Sequence, residues 1–140
     1  EYEYHINLKK DPFVEGLAYL VNNEPDVSKM NEAAQSLLKY QDFQCFSRSK
    51  TDVKTYYCTI TKAHWERKEN LLIFPISANR FLRNMVRAIV GTLLEIGYGK
   101  LTLEDFHKII ESKNRSNAGA SAPAHGLYLT KVVYPETIKM

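Results

Sequence analysis

Only two cysteines, Cys45 and Cys58, occur in the 140 residues, and they form no C-x-x-C pattern. A disulfide-stapled scaffold is thereby excluded, and both thiols are expected to be free in a reducing cytosol. No apolar stretch followed by a cleavage site opens the chain, and no apolar run reaches the roughly 18 residues of a membrane helix, so neither secretion nor a membrane is expected. Charge of one sign is scarce too. The formal charge of +3 and pI near 8.8 permit a polyanionic partner without the strongly basic signature of a dedicated nucleic-acid module. His5, His64, His107 and His125 have no metal-ligand spacing, and there is no glycine-rich phosphate loop, Ser-His-Asp set, repeat or low-complexity tract. The four histidines are therefore read as surface or structural residues.

What remains is an ordinary globular composition, 44% hydrophobic and 25% charged, in a chain long enough to bury its own core as one domain. Tyr2, Tyr4, Ile6 and Leu8 alternate with Glu3, His5, Asn7 and Lys9, the period of a half-buried strand. Glu1 is not an initiator methionine and this strand is already under way, which leads us to expect sequence upstream. Asp11-Pro12 and the polar stretch 22–26 bracket an apolar segment, 13–21, of undetermined state. From Ser28 as N-cap, Met30, Ala33, Ala34, Leu37 and Leu38 recur at helical spacing.

After a polar loop at 48–54, Tyr56, Cys58 and Ile60 alternate with Tyr57, Thr59 and Thr61, predicting a second strand to about Trp65. The charged stretch 66–70 reads as a turn into the apolar run 71–76, pairing the two strands as a hairpin, with Pro75 marking an edge or a bulge. Residues 80–98 carry no proline and place Phe81, Met85, Ile89, Leu93 and Ile96 on one side, the pattern of a buried central helix ended by Gly97 and Gly99. Thr102 with Asp105 has capping-box spacing and Leu101 with Phe106 that of a hydrophobic staple, opening a third helix to about Lys113. Residues 114–126 read as a surface loop and 127–135 as a closing strand. The order β-α-β-β-α-α-β favours an α+β fold with a mainly antiparallel sheet and helices packed on one face.

The stretch 80–87 concentrates charge at the start of the apolar helix. Arg80, Arg83, Asn84 and Arg87 fall on one stripe if the helix begins at 80, and cations there oppose the macrodipole at a cost of roughly 0.3–1 kcal/mol each. Arg87 is the sharpest case, because Met85, Val86, Ala88, Ile89 and Val90 around it are apolar. A buried guanidinium needs a partner anion. An acid of this chain would make it a structural ion pair, and a catalytic carboxylate would make it functional.

Phe81-Leu82-Arg83-Asn84-Met85-Val86-Arg87 followed by Ile89-Val90-Gly91 resembles a sequence block of TruA-type tRNA pseudouridine synthases. Asp42-Phe43 with Phe46, Tyr2-Glu3-Tyr4, and Arg115 through Ala118-Gly119-Ala120-Ser121-Ala122-Pro123 to Gly126-Leu127-Tyr128-Leu129 are similar to further blocks of that family, in the same order. The resemblance implies the C-terminal half of the pseudouridine synthase fold, isomerisation of uridine in the anticodon arm of tRNA without cofactor, a homodimer, and tRNA as partner. It implies that Arg87 pairs bidentately with a catalytic aspartate and that Tyr2 stacks on the flipped uracil and helps remove the C5 proton. Leu127 would lie against the base, with Arg80, Arg83, Asn84 and Arg115 contacting substrate. On residue type alone, Tyr2 reads first as a core tyrosine on a strand and Leu127 as an ordinary core position.

The family's aspartate belongs to an Arg-Thr-Asp-x-Gly-Val block upstream of the Tyr-x-Tyr strand, and these residues contain no such block. Thr51-Asp52-Val53 matches part of it, but follows Phe43 and Phe46 and lacks the glycine. The resemblance thus implies an N-terminal domain, bearing the aspartate, outside this chain, and a fragment inactive alone. Two other readings use the same α+β fold: an RNA-gripping module, against which the missing RNP-type aromatic pattern counts, and a noncatalytic assembly domain joined through the apolar helix.

Overall fold

The computed structural model describes residues 1–9, 17–48 and 55–130. In chain order its regular elements are β1 (Tyr2–Asn7), β2 (Tyr19–Leu20), α1 (Val27–Ser36), β3 (Ile60–Ala63), β4 (Glu66–Lys68), β5 (Leu71–Ala78), α2 (Met85–Gly97), α3 (Leu103–Ser112) and β6 (Leu127–Leu129). Antiparallel β1 and β5 form the centre of one sheet. Opposed residues of such a pair point to the same face, so Tyr4 with Phe74 and Ile6 with Leu72 make one fully buried apolar surface. Helix α2 packs against β1 and α1 against β3, while α3 rests on both helices. The sheet is antiparallel throughout except for the short parallel pairing of β1 with β2, which bears out the α+β reading.

Several boundaries differ from the expectation. The expected second strand, 56–65, shrinks to β3, with Tyr57 making only an isolated bridge to Asp42. The stretch expected as a charged turn is mostly β4, whose three residues are all exposed; only Glu69 and Asn70 turn, Glu69 at φ 55°. Charges on a sheet edge hide the alternation while blocking further pairing. Pro75 lies neither on an edge strand nor at a bulge: it is in β5, between β1 and the β3–β4 side. His64 donates to the Pro75 carbonyl at 3.4 Å, but proline has no N–H to return, and the ladder breaks there into β3 and β4. Helix α1 closes that outer edge: the Asn31 side chain bonds both the N–H (2.6 Å) and the carbonyl (3.2 Å) of Trp65, and Gln35 donates to the Ala63 carbonyl at 3.1 Å.

The N-cap of α1 is Asp26, which accepts from the Lys29 N–H at 3.1 Å, and not Ser28. Helix α2 ends as its glycines predict, with Gly99 at φ 77° and the Lys100 N–H reaching back to the Glu95 carbonyl at 2.8 Å. Its start is five residues later than the periodicity suggests. Helix α3 has the predicted capping box, Thr102 accepting from the Asp105 N–H at 3.0 Å and Asp105 from the Thr102 N–H at 2.9 Å. Of the expected closing strand, 127–129 is present and 131–135 lies outside the described residues, as do Thr51, Asp52 and Val53. Cys45 and Cys58 are buried free thiols, and burial pushes Cys45 up to about 12. No helix among the described residues is long and apolar enough to cross a membrane.

Candidate active site at the start of helix α2

Residues 80–84 do not extend the helix; they approach it as a turn in which the Met85 N–H bonds the Leu82 carbonyl at 3.1 Å. Asn84 sits in the left-handed region at φ 67°, a conformation asparagine tolerates better than most residues. Its side chain does not cap α2 but donates to the Ser121 hydroxyl at 2.5 Å. The single helical stripe of Arg80, Arg83, Asn84 and Arg87 is therefore corrected. Arg80 and Arg83 are exposed and precede the helix, so only Arg87, in the first turn, opposes the macrodipole. Arg80 reaches the carbonyls of Thr55 and Tyr57 at 3.3 and 3.4 Å.

Arg87 is held by the segment that follows α3. Its Nε donates to the Ala122 carbonyl at 2.7 Å and its own carbonyl accepts from the Ala122 N–H at 2.9 Å. The 114–126 stretch, expected as a surface loop, in fact lies against α2, with Gly119, Ala122 and Gly126 buried. Small residues make the approach possible: a Cβ on Gly91 would lie 1.8 Å from the Ala120 carbonyl oxygen. The Gly119 N–H bonds the buried Thr92 hydroxyl at 2.9 Å, and Tyr4 donates to the Pro123 carbonyl at 2.6 Å. Burial raises the Tyr4 pKa well above the ordinary tyrosine value, so it stays a neutral donor. The two tyrosines of the Tyr-x-Tyr strand thus differ: Tyr4 pins the loop, and Tyr2 faces a cavity.

That cavity, about 70 Å³, is lined by Tyr2, Phe81, Asn84, Met85, Arg87 and Leu127 among others. The Tyr2 and Phe81 rings meet edge to face at 5.0 Å and 89°. Of the residues singled out from the sequence, Tyr2, Asn84, Arg87 and Leu127 come together here. Arg80 and Arg83 are not in the lining, and Arg115 joins it only indirectly, through Ser121. Phe81 and Ser121 were missed; Phe81 had a signal in its family block, whereas nothing marks a serine in a Gly/Ala/Ser stretch. Among the described residues no carboxylate pairs with Arg87, and neither terminal nitrogen has a partner. The internal ion pair weighed from sequence is therefore not found there. An aromatic and aliphatic niche with one half-buried guanidinium can hold a flat ring and, through the guanidinium, a carboxylate. His5 and His64 pair with Glu3 and Glu66, and His107 with Tyr40, all away from this niche.

The fold and site together define a helix-on-sheet domain with an arginine-lined niche of about 70 Å³ at the start of its central helix. A sequence profile of the tRNA pseudouridine synthases matches residues 33–135. Proteins named tRNA pseudouridine synthase A are 53% identical over 139 residues in Porphyromonas gingivalis, 52% over 138 in Bacteroides fragilis and 42% over 136 in Bacillus licheniformis. The first two alignments cover 98% of this chain and the third 96%, each reaching 55% of the relative. The chain belongs to the tRNA pseudouridine synthase family, and it spans about half the length of the curated relatives it matches.

Proposed function

We propose that this chain forms one wall of the active site of an enzyme that isomerises uridine to pseudouridine in the anticodon arm of tRNA. The observation that carries this reading is Arg87: half-buried, fixed at Nε, without an acid among the described residues, and beside a cavity that Tyr2 and Leu127 line. In this reading the acid is an aspartate contributed from outside these 140 residues, and Arg87 keeps it ionised and oriented. The target uridine leaves the base stack, and its uracil lies between Tyr2 and Leu127. The N1–C1′ bond breaks, a C5–C1′ bond forms, the C5 proton is released with Tyr2 assisting its removal, and N1 takes up a proton from water. Asn84 contributes to the niche. Arg80 and Arg83, exposed beside it, contact the tRNA backbone, which makes binding salt-sensitive. We place the enzyme in the cytoplasm as a homodimer that needs no cofactor.

The test is release of tritium from tRNA labelled at uridine C5, run with the complete product of the gene. Release is expected from the complete product. Saturable tRNA binding with no release would replace this reading by that of an RNA-binding module without chemistry.

A further inference from the structure

We infer that Ser121 and Arg115 are positioning residues for Arg87, and that the carboxylate it receives approaches end-on, at the two terminal nitrogens. This rests on the synthase reading above. A guanidinium offers a carboxylate two forks, one at the terminal pair and one at Nε with its neighbouring terminal nitrogen. The single hydrogen of Arg87 Nε is already directed at the Ala122 carbonyl at 2.7 Å, which occupies the side-on fork. The direction of the remaining fork therefore depends on where the Ala122 carbonyl sits.

That carbonyl belongs to a segment with no regular ladder of its own. Ser121, immediately before it, receives two donors on one hydroxyl: Asn84 Nδ2 at 2.5 Å from the start of α2, and an Arg115 terminal nitrogen at 2.9 Å. The other terminal nitrogen of Arg115 donates to the Gly119 carbonyl at 3.0 Å. Both terminal nitrogens of Arg115 thus hold the 119–121 backbone and side chain, which commits its terminal fork to the loop. Arg115 braces Ser121, Ser121 ties the loop to Asn84, and the Ala122 carbonyl is left in place to aim Arg87.

The experiment compares Ser121→Ala, Ser121→Thr and Arg115→Gln in the complete gene product. Turnover, its pH profile, tRNA affinity and amide exchange are followed for each. A misaimed side chain of this kind costs about 10- to 100-fold in kcat, with tRNA affinity unchanged. The acid limb of the kcat profile should move to higher pH in Ser121→Ala and Arg115→Gln, because a loosened guanidinium lets the carboxylate pKa rise. Ser121→Thr, which keeps the hydroxyl, should recover most of the loss. Exchange at the Gly119 and Ala122 amides should quicken in both damaging variants while the interior of α2 is unaffected. Wild-type kcat with an unshifted acid limb, unchanged exchange at Gly119 and Ala122, or an Arg115→Gln that loses tRNA affinity but not kcat would each overturn the assignment. A wild-type product with no turnover would defeat the synthase reading itself, and amide exchange would still test the bracing role of Arg115 separately.

Discussion

Helices α2 and α3 begin in opposite ways. The start of α3 follows the local rules: Thr102 and Asp105 satisfy each other's backbone N–H groups, and Glu104 and Asp105 place negative charge on the positive end of the dipole. Helix α2 breaks them. Its N-cap residue is left-handed, its side chain bonds elsewhere, and its first turn carries Arg87 instead of an acid. One start completes itself; the other leaves a cation whose terminal nitrogens lack a partner among the described residues. Departures from local consistency of this kind concentrate at functional sites, and here the departure coincides with the cavity lined by Tyr2 and Leu127.

The comparison is broken most severely by Arg87→Ala. Turnover by the complete gene product should fall on the order of 10³-fold or more, as when a preorganised electrostatic contact is removed, with tRNA binding largely kept. Equal loss of binding, read by titration with tRNA, would make Arg87 a substrate anchor instead. Next in size is Gly91→Ala, whose Cβ would collide with the Ala120 carbonyl. Overpacking of this kind costs about 1–3 kcal/mol, to be read as a lower denaturation midpoint, and turnover should fall with it because the displaced loop carries the Ala122 carbonyl. Thr102→Ala removes the α3 cap at a cost of about 1 kcal/mol and should leave turnover at the wild-type level, since nothing at that end touches the niche.

The smallest effect sharpens the contrast through pH. Asp105 is held below the ordinary aspartate value, first by its hydrogen bond from the Thr102 backbone. A carboxylate with a depressed folded pKa stabilises above its unfolded pKa, and that contribution is lost as pH falls through the folded value. The stability difference between wild type and Asp105→Asn should therefore be present at neutral pH and shrink in acid. A difference independent of pH would mean that the carboxylate charge contributes nothing to the cap.

The same contrast explains what the sequence revealed. The α3 start was legible because a capping box is a local pattern with fixed spacing. The α2 start was not: Phe81 and Met85 continue the periodicity of Ile89, so a helix from 80 fits the pattern, and only the left-handed Asn84 interrupts it. Strand β1 was legible from its alternation and β5 from its apolar run, but not their pairing, since the run at 71–76 was matched with the preceding strand; β4 was hidden by its charges and β2 is too short to leave a pattern. Within the niche, Tyr2 and Leu127 were named through their family blocks, whereas Arg87 already stood out as a cation among apolar neighbours. Ser121 was not, because its importance lies in two donors 37 and 6 residues away converging on one hydroxyl, a tertiary coincidence without a sequence period.

The most direct measurement is the rate of tritium release from C5-labelled tRNA by two variants of the complete gene product, one at each helix start. If α2 opens on a functional cation and α3 on a structural cap, Arg87→Ala releases almost nothing while Thr102→Ala matches wild type. Near-wild-type release by Arg87→Ala would contradict the account, leaving Arg87 without a catalytic role.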